Sequence, residues 1–386
     1  MTTHFNFDLP IERSTQPGEK WGRYKGRDIL PLWVADMDFA VAPVIREALA
    51  KRLEHPVFGY TPPWPELVDA VIAGIARDHD WHIEPDWLVW LPGMVSGFNI
   101  ACRAVGDSGD EVFTATPIYP PFLTAPGNND RRLVSRPLVL QGARWEWDRP
   151  ATEAAIGPRT RLMLLCNPHN PVGRVFDDEE LGWLAGLAER RDLVICSDEI
   201  HCGLVLDQAH PHRPIASLNA AAAARTITLM APSKTWNMPA LYCAFAIIPD
   251  PGLRRAYVHA MRGLVSAPNV LGLVATEAAY RDGNPWRLAL LDYLRGNCAR
   301  VMSAVAAMPG LSTTAPEATY LAWIDCRASG LADPAGFFEA AGVGLSDGAP
   351  FGMPGFVRLN FACTRSTLDE ALRRMKNALT ARQTES

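Results

Sequence analysis

Arg161-Leu-Met-Leu-Leu-Cys166, then a stretch from 178 to 190 with Leu181, Leu184 and Ala188 on one face, then Leu193-Val-Ile-Cys196: this passage decides the fold. A short unbroken apolar run reads as a strand buried on both sides. An apolar period near 3.6 residues reads as a helix covering one of them. The alternation continues through Thr226-Ile-Thr-Leu-Met230 and Cys243-Ala-Phe-Ala-Ile-Ile248. The middle of the chain therefore predicts an α/β fold whose mostly parallel mixed sheet lies between helices, with right-handed crossovers.

Upstream, Ile45, Ala48, Leu49 and Leu53 recur at helical spacing, and a second helix follows Pro65 with Leu67, Val71 and Ile75 aligned. Phe58-Gly-Tyr-Thr-Pro-Pro63 between them is a loop. A helix is expected over 95–105, a turn over 106–110 and a strand over 111–115, while Ala220 to Ala224 is expected to end a loop or cap a helix. Beyond Pro268, helices over 270–280 and 286–308 lead to a different unit, with strands at 320–325 and 356–361 and helices at 334–341 and 368–379. The expected organisation is a large domain over 46–274 and a small α+β domain formed by both chain ends, 1–45 and 275–386.

Composition narrows the function classes. The 386 residues are 48% hydrophobic, enough for a large core, and their 37 basic and 42 acidic residues are intermixed, for a net charge of -5. No basic block calls for nucleic acid, and no apolar run approaches the length of a membrane span. Met1 to Pro10 holds no basic patch followed by an apolar run, so the protein is expected in the cytoplasm. The eight cysteines stand singly without a CxxC pair, the pattern of reduced, mostly buried thiols.

Three of the strands are followed by loops rich in polar residues, where an α/β sheet opens its ligand crevice. They are Cys166-Asn-Pro-His-Asn-Pro-Val-Gly173, Ser197-Asp-Glu-Ile-His201 and Ala231-Pro-Ser-Lys-Thr235. Together they offer an amide, a carboxylate and an amine, the groups that a pyridoxal cofactor requires. Pyridoxal 5′-phosphate (PLP) needs an amine to carry it as an imine and a carboxylate to keep its ring nitrogen protonated. Each residue alone has a plainer reading: a surface lysine, a helix-capping aspartate, an asparagine in an Asn-Pro turn.

In order and separation, Asn170, Asp198 and Lys234 resemble the asparagine, aspartate and lysine of fold-type-I aminotransferases. Further segments narrow the resemblance to the MalY/PatB group of cystathionine β-lyases: Pro31-Leu-Trp-Val-Ala-Asp-Met-Asp-Phe39, the three loops, and Gly355-Phe-Val-Arg-Leu-Asn-Phe-Ala362. The likeness runs from about Phe5 to the last helix. It implies Lys234 as the catalytic and cofactor-bearing amine, Asp198 on the ring nitrogen and Asn170 on the ring oxygen. It also implies Tyr119 stacked on the ring, and Gly93, Met94, Val95 and Ser233 around the phosphate. Tyr60 would reach the phosphate of a neighbouring subunit, which implies a homodimer. Arg358 would clamp the substrate carboxylate, with Trp33 and Asp36 at the substrate entrance.

His201 joins the cofactor-binding set; with His169 it reads most simply as a hydrogen-bonded histidine beside the site, and the two have no partner at metal-ligand spacing. There are departures. Tyr242 stands where many aminotransferases place an arginine eight residues after the lysine. His201 stands where they place a tyrosine, and Pro239-Ala240 where the lyase group tends to read Ala-Gly. The activity implied is β-elimination of a thiol from cystathionine or a cysteine S-conjugate. Transamination uses the same residues, and a PLP-binding regulatory or interaction protein keeps the fold without the reaction.

Overall fold

The computed structural model describes residues 5–385, so residues 1–4 and 386 of the expected small domain lie outside the described residues. The seven strands of the main sheet are, in chain order, β1 (Leu88–Leu91), β2 (Glu111–Thr116), β3 (Arg132–Pro137), β4 (Thr160–Cys166), β5 (Val194–Asp198), β6 (Thr226–Met230) and β7 (Ala244–Ile247). Their spatial order is β1-β7-β6-β5-β4-β2-β3. Only β7 points opposite to the other six strands, which makes the sheet mixed but mostly parallel, as expected.

The sheet is covered on both faces. Leu162 and Leu164 of β4 join one apolar cluster with Phe98, Ala101 and Leu229, whereas Met163 and Leu165 join another with Leu181, Leu184 and Ala188. This is the period-two alternation of a strand buried twice. The helix α1 (Asp178–Arg190) that supplies the second face opens on a capping box, the Asp177 carboxylate taking the Glu180 N–H and the Glu180 carboxylate taking the Asp177 N–H. The alanine run needs a correction. Ala220–Ala224 is itself a short helix, because the Asn219 side chain caps it by accepting the Ala222 N–H.

Strand register sets the site. Cys166 lies opposite Asp198 across β4 and β5, and Asp198 lies opposite Leu229 across β5 and β6. The three polar loops therefore leave one edge of the sheet side by side.

A second, antiparallel sheet is made of β8 (Ser312–Thr313), β9 (Leu321–Asp325), β10 (Ser346–Asp347) and β11 (Phe356–Asn360), in the order β8-β9-β11-β10. The N-terminal strip joins it. Leu30–Pro31 pairs with Val343–Gly344, the Asn360 N–H donates to the Leu32 carbonyl at 2.9 Å, and the Asp38 N–H donates to the Ala362 carbonyl at 2.9 Å. This pairing supports the division we propose, a large unit over 46–274 and a small one drawn from both ends.

Candidate active site

Asp198 ends β5 and is 5% exposed. Its Oδ1 accepts the Ile200 N–H at 3.1 Å, which fixes the carboxyl, and no donor among the described residues reaches Oδ2. Burial pushes its pKa up to about 7; Glu199 adds to the rise, and the Ile200 N–H and Lys234 oppose it. A cation brought to that oxygen would restore its charge.

Lys234 sits in the turn after β6, closed by the Trp236 N–H on the Pro232 carbonyl at 3.0 Å and the Met238 N–H on the Ser233 carbonyl at 2.9 Å. Its Nζ donates to the Ala35 carbonyl at 2.5 Å. Burial brings its pKa down to about 8, helped by Arg358 and opposed by Asp36, Asp198 and Glu19. An amine held there is close to neutral pH, as a general base should be.

Asn170 follows β4 in a loop tied by the His169 N–H on the Arg174 carbonyl and the Gly173 N–H on the His169 carbonyl, both 2.7 Å. Its Oδ1 accepts from Arg358 Nη1 at 3.0 Å, which leaves the amide nitrogen without a protein acceptor among the described residues.

Arg358, in the middle of β11, is 5% exposed and faces no carboxylate at ion-pair distance among the described residues. Its Nη2 donates to the Trp33 carbonyl at 3.0 Å and lies 3.5 Å from Ser346 Oγ, its guanidinium lies 4.8 Å from the Phe351 ring, and its Nε has no partner. Burial alone pulls its pKa down to about 10. A buried guanidinium without an anion is costly, and a bound carboxylate would remove that cost.

Tyr119 lies three residues past β2, half-buried; burial raises its phenol pKa, Arg358 pulls it down and Asp198 pushes it up. Gly93 is the extended residue before the helix α2 (Met94–Ala104), whose first N–H groups have no side-chain cap. Those free donors suit a phosphate. Ser233 is half-buried beside Lys234, and no partner among the described residues takes its hydroxyl.

His201 is buried, its Nδ1 is without a partner, and its ring lies 6.1 Å from that of Tyr320. Burial, with Lys234 and Arg358, drives its pKa down to about 3, so it is neutral. His169 bonds the Pro117 carbonyl through Nε2 at 2.7 Å and packs against Phe176, a role in shaping the loop.

Three expected residues differ in their surroundings. Tyr60 is 109% exposed, its ring turned out into solvent. The Asp36 carboxylate is bound by Arg13 at 2.9 Å and Lys20 at 3.5 Å. The Trp33 indole donates to the Lys20 carbonyl at 3.2 Å and lies 4.8 Å from the Arg23 guanidinium. The strip over 33–36 turns its backbone toward Lys234 and Arg358: Trp33 and Ala35 supply carbonyls, and Asp36 is committed to an ion network. The Ala35 carbonyl is invisible to motif reading, since a backbone carbonyl looks the same under every side chain, and Ser346 and Tyr320 join the site through hydroxyls that no quoted motif contains.

The residues present fit PLP. Among the described residues, an amine, a carboxylate oxygen without a donor, an amide nitrogen without an acceptor and an uncapped helix start lie past the ends of strands of the main sheet, and a buried guanidinium without an anion reaches Asn170 from β11.

The model of the family "Aminotransferase class I and II" matches residues 27–375. The cystathionine beta-lyase PatB of Bacillus subtilis is 36% identical over 97% of this chain and 100% of its own. The crystal structure of OvoB superposes with a TM-score of 0.96 at 47% identity, over 98% of this chain and 100% of that one. Cystalysin from Treponema denticola, whose crystal structure contains a pyridoxal 5′-phosphate cofactor, gives a TM-score of 0.94 at 30% identity, over 98% and 100% of the two chains.

Proposed function

The chain belongs to the class I and II aminotransferase family and is a pyridoxal-phosphate enzyme; from that premise we propose that it is a carbon–sulfur β-lyase. It releases a thiol from cystathionine or a cysteine S-conjugate and leaves pyruvate and ammonia. The observation that carries the amino-acid substrate is Arg358, a buried guanidinium with two N–H groups on Asn170 and Trp33 and no carboxylate partner among the described residues. The cleavage of a sulfur bond is supported by the PatB likeness.

When bound, PLP supplies an electron sink for the pair left at Cα. Asp198 would hold the proton on the ring nitrogen, Asn170 would donate its amide to the ring oxygen, and Tyr119 would cover the ring face. Gly93, Met94, Val95 and Ser233 would hold the phosphate. Arg358 fixes the substrate carboxylate and so orients the Cα–H bond toward Lys234, whose amine takes the proton. The Cβ–S bond then breaks with its electron pair on sulfur, which leaves as the thiol after gaining a proton. The three-carbon remainder takes up water to give pyruvate and ammonia.

Tyr60, fully exposed in its own chain, is placed by this reading at the phosphate of a second copy, in a homodimer. No helix among the described residues is long and apolar enough to cross a membrane, and the reading puts the enzyme in the cytoplasm.

The test is a panel of cystathionine and S-alkyl cysteines with the PLP-loaded protein and no added 2-oxo acid. Pyruvate and thiol are expected in equal amounts. Turnover only after a 2-oxo acid is added would make the enzyme a transaminase, and no release from any of them would end the lyase reading.

Arg358→Gln is expected to raise KM by about 10- to 100-fold, with a smaller effect on kcat, because the clamp holds substrate and transition state alike. Steady-state kinetics on cystathionine checks it, and an unchanged KM would remove Arg358 from the substrate site.

A further inference from the structure

Two donors share one acceptor beside the reactive amine. Lys234 Nζ donates to the Ala35 carbonyl at 2.5 Å, and the Tyr320 hydroxyl donates to the same oxygen at 2.9 Å. Tyr320 is 1% exposed, immediately before β9, with its backbone carbonyl taking the Phe361 N–H at 2.9 Å. Nothing about ordinary packing requires its hydroxyl to meet a carbonyl that a lysine already occupies.

The residue before it is unusual. Thr319 has φ +76°, the left-handed region, which is costly for a β-branched side chain, and it is fully buried. It is held there by the Thr319 N–H on the Leu204 carbonyl at 2.9 Å and by the Leu321 N–H on its own Oγ1 at 3.2 Å. The segment before it is pinned too, the Ala318 N–H donating to the Gly173 carbonyl at 2.9 Å. Backbone strain at one residue, over-determined by its surroundings, aims the next side chain.

The carbonyl itself is held on a rigid strip. Asn360 Nδ2 donates to the Val34 and Asp36 carbonyls at 2.7 and 2.6 Å, and Asn237 grips the Met37 N–H and the Met37 and Phe39 carbonyls. The oxygen between them is fixed in space by hydrogen bonds on both sides.

We propose that the Ala35 carbonyl is the resting place of the Lys234 amine whenever it is free of the cofactor, and that Tyr320 is the positioning residue that sets this place. An oxygen has two lone pairs; with the Tyr320 hydroxyl on one, the amine is confined to the other. Sharing also weakens the oxygen as an acceptor for an ammonium group, which favours the neutral amine that can take the Cα proton. The inference rests on the reading of Lys234 as the cofactor lysine, and it concerns the amine's basicity as much as its direction. The other groups that face the amine are Arg358, which disfavours its charge, Asp36, Asp198 and Glu19, which favour it, and the neutral His201.

Tyr320→Phe removes one hydroxyl and leaves the ring in place. In the cofactor-free protein, the pH dependence of Lys234 acylation, followed by peptide mass spectrometry, is expected to move upward by about half a unit or more. In the PLP-loaded protein, kcat for thiol release is expected to fall about 10-fold with KM little changed, and the acid limb of the kcat profile to move to higher pH. Melting temperature controls for folding; if the variant melts early, Thr319→Gly, which tolerates the left-handed region but has no side-chain oxygen for the Leu321 N–H, is expected to give the same alkaline displacement in a weaker form. An unmoved lysine titration together with an unmoved kcat would overturn the proposal. Failure of the wild-type protein to release thiol would instead strike the lyase reading, and leave the lysine titration as a test of its own.

Discussion

Replacing Lys234 by alanine should lower thiol release by about 1,000- to 10,000-fold or more, because one amine serves both as the link to the cofactor and as the base at Cα. The visible absorbance of a lysine-linked cofactor should vanish with it. The structure argues against a trivial explanation by unfolding. Lys234 is half-buried and, among the described residues, its amine meets only the Ala35 carbonyl, with no ion pair to break. Burial already holds its pKa down near 8, so the loss of its charge relieves a cost. The melting temperature should therefore stay level or rise. A small primary amine such as methylamine should restore part of the turnover by entering the space the side chain leaves. A variant that kept a tenth of wild-type turnover would end the role of this lysine.

The same variant tests the subunit arrangement. Tyr60→Ala should weaken hold on the phosphate, since a fully exposed phenol is free to reach a neighbouring chain. Mixed with Lys234→Ala after dissociation and reassociation, it should recover activity, because one site of each hybrid would combine an intact Lys234 with an intact Tyr60 from the other copy. Absence of recovery, with hybrids shown to form, would separate Tyr60 from the neighbouring site.

What could be read from the chain follows a physical divide. The central strands are legible because a strand buried on both faces has little choice but to be apolar, and Lys234, Asp198 and Asn170 stand out as polar groups at the ends of such runs. Arg358 is legible for the same reason, a charge inside Phe356–Asn360. The edge strands are not: Arg132–Pro137 has one neighbour and an exposed polar face, and Leu88–Leu91 is four residues long. The reversal of Ala244–Ile247 leaves no trace in its composition. Nor does the commitment of Asp36, whose partners Arg13 and Lys20 lie 23 and 16 residues away in no repeating pattern. Polar contacts made by backbone are hidden altogether, and the Ala35 and Trp33 carbonyls, which receive the two most important cations of the site, belong to that class.

Asp198→Asn should lower kcat by about 100- to 1,000-fold, since it removes the charge that stabilises a protonated ring while keeping the shape. An amide oxygen can still accept the Ile200 N–H that holds the carboxyl in place, so the backbone at the end of β5 should not move. A second consequence appears without cofactor. Burial raises the carboxyl from 3.8 to about 7 in the folded chain. Between those values the folded state keeps a proton that the unfolded chain has released, so this group's contribution to stability is full below pH 3.8 and is lost as pH rises through 7. Asparagine mimics the protonated form and does not titrate. The cofactor-free variant should therefore match the wild type near pH 4 and exceed it increasingly toward pH 8, as thermal melts of the two proteins across that range would show. A difference that stayed constant with pH would mean the carboxylate is already stabilised by the protein alone, and that it does not need the ring nitrogen's proton as its partner.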